Sequence, residues 1–412
     1  MSSQKLSIPA RTGRDADVDQ VLARLLRLAS DDNGLAVDSS REEDAAGYHT
    51  VREIVQQPAT WVETASLLAA QRQDLQSLVR GGDDAPRSLV LTGSGSSHFI
   101  GECSGPVLER ALGLPVRPIS GGELLLTQPQ TQQPHLTVSS SRSGDSPESV
   151  AAIDNLLESD PAGRHLIVSC NSEGRVTHRF EANDKLRFLL LPQATCDNSL
   201  VMTSSFTNLL LAGLGLGSLD RLDQYQVQTA ALALAGKQIL NEHAAAIRDV
   251  AVRPYQRAVY LGDLERSGAA REGALKLLEM TAGRVAALHE GFLGLRHGPM
   301  SFLTEDTLIV GFLSDNPKHR GYEMDLLAEL DRKRLATNRI LVGHNLDPRL
   351  AQNAVTISIP ASTEIGPGAD CILSVVVAQL VGLFRSVHEG LNPDAPSPSG
   401  TISRVVGDFP IH

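Results

Sequence analysis

Residues 136–149, Leu-Thr-Val-Ser-Ser-Ser-Arg-Ser-Gly-Asp-Ser-Pro-Glu-Ser, decide how the rest of the chain is read. Leu136–Val138 is an apolar, β-like run that feeds a loop of serines, an Arg and a Gly. Ser146 suits an N-cap, and Pro147 suits the first helical position because its missing N–H would be unpaired there anyway. The stretch therefore reads strand, polar loop, helix start. Backbone N–H groups, hydroxyls and the positive end of a helix dipole meet there, which are the parts of a phosphate cradle. A serine-rich connection that merely caps a helix has the same pattern, so one such loop does not separate the two readings.

A second loop does. Residues 88–97, Ser-Leu-Val-Leu-Thr-Gly-Ser-Gly-Ser-Ser, again run from an apolar strand into Gly and Ser, ahead of a helix expected over Ile100–Leu112. Gly93 and Gly95 let the backbone approach a ligand, and Ser96 and Ser97 add hydroxyls. No Gly-Lys-Ser/Thr follows, so this is not a Walker loop, and His98 stands where a dinucleotide fingerprint needs its third Gly. Two such turns about fifty residues apart place neighbouring strands around one phosphate at the carboxyl ends of a parallel sheet.

The bulk properties narrow the class. With 412 residues the chain is long enough for two domains with full cores. By the sequence reading no apolar run reaches membrane-spanning length, and Met-Ser-Ser-Gln-Lys at the N-terminus lacks a signal peptide's apolar core. The expectation is a cytoplasmic protein with no membrane partner. A net charge of −11 argues against non-specific nucleic-acid binding. Cys103, Cys170, Cys196 and Cys371 lie far apart with no Cys-x-x-Cys, which indicates neither a disulfide framework nor a metal site.

Along the chain, residues 1–80 read as a helical extension. It has a helix at Val21–Leu28, a loose acidic connection at Ser30–Asp44, and a helical pattern from Tyr48 to Leu78 interrupted at Pro58, with Trp61 on the buried face. Strands are expected at 88–92, 115–119, 135–139, 165–169 and 186–191, alternating with helices and followed by an apolar helix at Phe206–Leu216. The pattern then restarts. Ala258–Leu261 resembles Leu89–Thr92, Thr307–Phe312 resembles Leu136–Ser140, and Arg339–Val342 resembles His165–Val168. Val355–Ile359 resembles Phe188–Pro192, and Cys371–Phe384 resembles the 206–216 helix. This implies α/β architecture with tandem doubly wound parallel-sheet domains, over 81–220 and 221–390, and a tail over 391–412. The second copies of the two loops carry Asp263, Glu265 and Asp315, so the first domain is expected to hold the phosphate and the second to bring catalytic side chains.

Residues 274–299 supply the chemistry. Lys276 and Glu279 are three apart on an expected helix, hence on one face; the same spacing also describes an ordinary surface ion pair. His297-Gly298-Pro299 denies the His a regular helix, and a His held on a turn serves as an acid or base near neutral pH.

Gly-Ser-Gly-Ser-Ser, Ser-Arg-Ser-Gly-Asp-Ser, Leu-Lys-Leu-Leu-Glu and Arg-His-Gly-Pro, in this order, resemble the sugar isomerase (SIS) family. They are similar to the isomerase half of glucosamine-6-phosphate synthase and more so to the tagatose-6-phosphate ketose/aldose isomerase (galactosamine-6-phosphate deaminase/isomerase) group. Val51–Pro58 resembles the helix leading into the family's first domain, and Asn392–Val406 resembles the closing tail of the nearer group. The likeness covers roughly 48–412 and implies flavodoxin-like domains. It implies that Ser97, Ser141, Ser143 and Ser146 bind a sugar phosphate, supported by Gly95, Ser96 and Arg142. Glu279 matches the carboxylate that moves a proton between C1 and C2, Lys276 the Lys one turn before it, and His297 the ring-opening His, which in the synthase comes from a neighbouring subunit. A homodimer or dimer of dimers with shared sites follows from that match, with no cofactor and no metal.

Two departures matter. Where the synthase tail carries an imine-forming Lys, this chain offers Arg404 after a shift of about three residues, and Arg, always protonated, forms no imine. The chain also begins Met-Ser, with too few residues before Ser88 for a glutamine-hydrolysing domain, so a synthase is not expected. The activity expected is isomerisation of an amino-hexose 6-phosphate with ammonium release. A plain ketose/aldose isomerase uses the same residues, and a non-catalytic sugar-phosphate sensor is the reading from another class.

Overall fold

A computed structural model of the chain describes residues 16–30, 47–81, 85–127, 134–159, 163–183, 185–407 and 409–412. Most of the acidic connection expected at Ser30–Asp44 lies outside these residues. Three helices come first: α1 (Ala16–Ser30), α2 (Tyr48–Ala70) and α3 (Arg72–Arg80). The first domain follows with β1 (Ser88–Gly93), α4 (Ser96–Leu112), β2 (Val116–Ser120), α5 (Gly121–Leu126), β3 (His135–Ser141), α6 (Pro147–Ser159), β4 (Arg164–Ser169), α7 (Arg175–Phe180), β5 (Leu186–Leu190) and α8 (Ser204–Leu216). Helices α9 (Leu222–Gln238) and α10 (Ala244–Ala251) lead into the second domain. It comprises β6 (Arg257–Leu261), α11 (Glu265–Met280), β7 (Ala286–Glu290), β8 (Leu308–Phe312), α12 (Pro317–Lys333), β9 (Asn338–His344), β10 (Val355–Ile359), α13 (Ser362–Ile365) and α14 (Asp370–His388).

Each domain has one five-stranded parallel sheet. The orders are β2-β1-β3-β4-β5 and β7-β6-β8-β9-β10, the same doubly wound arrangement twice. In that order the chain reverses direction between the first and third strands, so their carboxyl ends open a crevice. β1 and β3 are neighbours in register, Leu89 beside Leu136 and Thr92 beside Ser139, which brings the two serine turns side by side.

Three expectations are corrected. Pro58 does not interrupt α2, which runs through it to Ala70 and breaks only at Gln71. Proline leaves the Ile54 carbonyl without its helical donor, and the Gln57 side-chain amide supplies one at 3.0 Å. Trp61 is fully buried, its indole N–H donating to Thr207 Oγ1 at 3.0 Å. β7 was not foreseen: Ala-Ala-Leu-His-Glu has little strand propensity, and it is an edge strand with no fully buried residue. Finally, α14 is long and apolar enough to cross a membrane, the single such helix among the described residues, contrary to the count from sequence. It is a core helix instead: 94% of its apolar window is buried within the fold, because it packs against α11 on one side and α10 on another.

The approach of α4 to α11 positions everything that follows. The two helices run antiparallel, with Arg110 beside Glu265 at one end, Arg271 beside Glu102 in the middle and Lys276 beside Ser96 at the other. Gly268 makes this possible. A Cβ there would lie 2.7 Å from Cys103 Sγ and 2.8 Å from the Phe99 carbonyl oxygen, so any side chain would push the helices apart.

Candidate active site

The turn after β1 begins the site. Gly95 has φ +56° and ψ −128°, a conformation that favours glycine, and it swings the chain into α4 with no side chain capping the helix. The first N–H groups of α4 have no side-chain acceptor; those of Ser97 and His98 donate to the Ser94 and Gly95 carbonyls at 3.1 and 2.9 Å. Ser96 and Ser97 sit in this first turn and are almost wholly buried. Ser97 Oγ lies 3.8 Å from Met202 Sδ, a weak contact that leaves the hydroxyl available to a better acceptor.

The turn after β3 faces it. Ser141 Oγ accepts the Gly144 N–H at 2.8 Å, and Ser143 Oγ accepts the Asp145 N–H at 3.2 Å. These bonds curl the loop so that α6 starts at Pro147, and Ser146 Oγ lies 2.6 Å from Ser149 Oγ. Arg142 does not point freely into the crevice. Its guanidinium, on a side chain nine-tenths buried, donates to the Leu200 carbonyl at 2.8 Å, to Ser199 O at 3.4 Å and to the Arg404 carbonyl. It braces the loop to the turn after β5 and to the tail.

From the second domain comes the C-terminal half of α11. Lys276 is wholly buried, with its ammonium 2.6 Å from Glu279 Oε2, 3.3 Å from Glu272 Oε1 and 3.3 Å from Ser96 Oγ. The three-residue spacing is thus no surface pair. Glu279 keeps about a quarter of its side chain exposed, enough to reach a ligand, while Glu272 is wholly enclosed. Burial pushes the Glu272 carboxyl up to about 7, opposed by the Lys276 charge. Burial also works against the Lys276 ammonium, but Glu272 and Glu279 outweigh it and hold its pKa above the usual lysine value. The cluster is a lysine locked in its charged form, with one carboxylate behind it and one facing the crevice.

Sequence reasoning missed Glu272. It lies four residues before Lys276, a spacing that shares the helix face, so the signal was present. Burial gives that spacing its weight.

The remaining expected residues are placed apart. His297 ends a short 3-10 turn, Gly294–His297, and Gly298 at φ +125° turns the chain into Pro299. The His is exposed, and within this chain no hydrogen bond or ion pair joins it to Lys276, Glu279 or the serine turns among the described residues. Arg404 donates from Nε to the Asp197 carbonyl at 2.7 Å, and its Nη2 lies 3.4 Å from Cys196 Sγ. It borders the site through the turn after β5 and forms no hydrogen bond to Lys276 or Glu279. The tail itself is pinned at the start of α2. Asn392 Oδ1 accepts the Gly47 N–H at 2.9 Å, Asp394 Oδ1 accepts the Thr50 N–H at 2.7 Å, and the Leu200 N–H donates to Asp394 O at 2.9 Å.

Chemically, the crevice offers hydroxyls and the positive end of the α4 dipole on one side and a carboxylate beside a fixed cation on the other. That pairs anion binding with proton transfer a few bonds away on one ligand.

No family model matches the chain. It is 34% identical over 377 residues to the D-galactosamine-6-phosphate deaminase AgaS of Escherichia coli, across 89% of this chain and 96% of that protein. The solved tagatose-6-phosphate ketose/aldose isomerase from Escherichia coli superposes with a TM-score of 0.78 at 32% identity, covering 84% of this chain and 95% of that one. The glutamine–fructose-6-phosphate aminotransferase of Pyrobaculum aerophilum is 25% identical, and there the match covers 85% of this chain but 56% of the relative. With two tandem sheets of the same order and this identity along almost the full length of both proteins, the chain belongs to the SIS-type family of sugar-phosphate isomerases and deaminases.

Proposed function

We propose that this protein is an amino-hexose 6-phosphate isomerase and deaminase that converts galactosamine-6-phosphate to tagatose-6-phosphate and ammonium. The observation that carries the reading is the Lys276 cluster. It joins Glu279 of the second domain to Ser96 of the first through one shared ammonium, so a base and the start of a serine turn meet at the same point. Relatives named for this deamination and this isomerisation support the substrate class.

The phosphate is taken by Ser97, Ser141, Ser143 and Ser146 at the positive end of α4, shaped by Gly95, Ser96 and Arg142. Holding it there orients C1 and C2 without touching them. After ring opening, Glu279 removes the C2 proton while O1 takes up a proton, which gives the enolamine. Return of the proton to C1 on the same face, with loss of a proton from nitrogen, gives the C2 imine; water adds to it, releasing ammonium and leaving the ketone. Lys276, held in its charged form, fixes the Glu279 carboxyl in place through the 2.6 Å contact.

Ring opening needs a proton donor, and the exposed His297 serves it in a neighbouring copy's site. A homodimer or dimer of dimers in the cytoplasm is the assembly proposed. Arg404 closes the crevice from the tail without covalent chemistry.

The test is to incubate the purified protein with galactosamine-6-phosphate and, separately, glucosamine-6-phosphate, assaying ammonium and ketose. Ammonium and ketose in equal amounts from the galacto substrate support the reading. Ketose formed from a neutral aldose phosphate, with no ammonium from either amino sugar, replaces it with a plain isomerase. Binding without turnover of any of these sugars replaces it with a sensor.

A further inference from the structure

The reaction makes no use of a polar cluster that joins α2 to the turn after β5. Glu53 on α2 is buried, and its Oε1 accepts the N–H groups of Asn198 at 2.5 Å and Ser199 at 3.2 Å. Its Oε2 is hydrogen-bonded to Ser199 Oγ, which also lies 3.3 Å from the Val201 carbonyl. The opposite side of the same turn holds both arginines of the site. Leu200 O and Ser199 O accept from Arg142, and Asp197 O accepts from Arg404. The Asp197 carboxylate is spent elsewhere, accepting the N–H groups of Thr203, Ser204 and Ser205 where α8 begins.

Burial, and then the nearby Asp197 charge, push the Glu53 carboxyl up to about 8, so it keeps its proton near neutrality. A neutral carboxyl satisfies every group present. Its O–H donates to Ser199 Oγ, Ser199 donates onward to Val201 O, and Oε1 takes the two N–H groups.

We propose that Glu53 is a positioning residue of the phosphate site, fixing the 197–200 turn so that its carbonyls hold Arg142 and, through Arg142, the serine loop after β3. This rests on the reading of that loop as the phosphate site. No hydrogen bond or ion pair links Glu53 to Lys276 or Glu279, so its influence falls on binding and leaves proton transfer alone.

The experiment uses the full-length protein, with calorimetric titration of inorganic phosphate and steady-state kinetics on galactosamine-6-phosphate. Glu53→Ala is expected to weaken phosphate binding and raise KM about tenfold with kcat within about threefold. Glu53→Gln keeps the acceptor for both N–H groups and offers an N–H to Ser199 Oγ, so both values return to within about threefold of the parent. Because Glu53 works through Arg142, Glu53→Ala combined with Arg142→Lys binds no more weakly than the weaker single variant. A Glu53→Ala protein that binds phosphate like the parent overturns the inference. So does a double variant whose losses multiply, or a Gln variant as impaired as the Ala one. If Arg142→Lys alone leaves phosphate affinity unchanged, the reading of that loop falls and takes this inference with it. A weakened Arg142→Lys beside a silent Glu53→Ala overturns this inference alone. Because phosphate binding is measured without turnover, a wrong sugar assignment leaves the test intact.

Discussion

Gly95 and Leu264 hold the same place in the two domains, between the first strand and the helix after it. Their backbones coincide: φ +56° and ψ −128° at Gly95, φ +54° and ψ −128° at Leu264. Around Gly95 the chain places Ser96 and Ser97; around Leu264 it places Glu265 and Arg266. The second turn is filled by the protein's own charges. Arg266 Nε lies 2.6 Å from Asp370 Oδ2, and its Nη1 lies 3.4 Å from Glu265 Oε1. The antiparallel helices repeat the contrast. α11 brings Lys276 and Glu279 to the first turn, whereas α4 brings Arg110 to Glu265 of the second at 3.2 Å. One architecture thus builds two equivalent turns: the first sets serine hydroxyls beside Lys276, and the second is occupied by ion pairs. Leu264 is strained in this conformation, a cost of about 1–3 kcal/mol, and gains little from packing because half of it is exposed.

The comparison breaks first at Glu279. Glu279→Gln keeps shape and hydrogen bonding but accepts no proton, so turnover should fall by about two to four orders of magnitude while phosphosugar binding survives. Retained loss of the C2 hydrogen label in D₂O, within about tenfold of the parent, would assign the base elsewhere.

Arg266→Leu should behave oppositely. It strands Asp370 and Glu265 near a buried site and should cost about 3–5 kcal/mol in denaturant unfolding, with KM unchanged. A raised KM would mean that the second turn takes part in binding.

Ser97→Ala and Ser143→Ala should each raise KM about tenfold with kcat little altered, because bonds present in ground and transition states alike are lost. Unchanged KM in both removes the first turn's claim to the phosphate.

Acidity separates the regions too. Glu53, beside the open crevice, is held above its ordinary value of 4.5, so from there to about pH 8 the unfolded chain is ionised while the folded one keeps its proton. Stability should fall across that window, and Glu53→Gln should flatten the fall in melting temperature. Asp315, beside the filled crevice, is pulled below its ordinary value of 3.8: partial burial resists, but bonds from Ser362 and the Arg266 charge prevail. Its contribution is present above that value and is lost as pH drops further, so Asp315→Asn should cost stability at pH 7 and little at strongly acidic pH.

The smallest effect is expected at the shared backbone. Leu264→Gly should be neutral or stabilising by about 1 kcal/mol, since relief of strain offsets the entropy of glycine. Gly95→Ala should destabilise by about 1–2 kcal/mol, although a Cβ there meets no atom within 4 Å. Equal and opposite results would show that the two turns differ in side chains alone.

Much of this was legible before any coordinates. The β1 and β3 turns, Pro147 at the start of α6, the apolar α8 and the equivalence of β6, β8, β9 and β10 with β1, β3, β4 and β5 all followed from local pattern. The failures share a cause. Pro58 was read as a break because Gln57, which rescues it, acts through a side-chain rotamer that the sequence does not show. Spacing alone left Lys276 and Glu279 open between a site pair and a surface pair because it carries no information on depth, and Glu272 passed unnoticed for the same reason.

Read alone, the sequence determined the tandem α/β plan, since apolar periodicity and Gly, Ser and Pro at turns act over a few neighbouring residues, where backbone sterics and helix capping operate. It showed too which domain carries serine-rich turns and which carries acidic ones, because Asp263, Glu265 and Asp315 are visible as charges wherever they fold. Only the tertiary structure decided that α11 crosses α4 at Gly268, that Lys276 reaches Ser96, and that Arg142 is held by the turn Glu53 grips. These contacts join residues far apart in the chain. Their strength depends on exclusion of water, which sets what a buried charge costs and which proton it keeps.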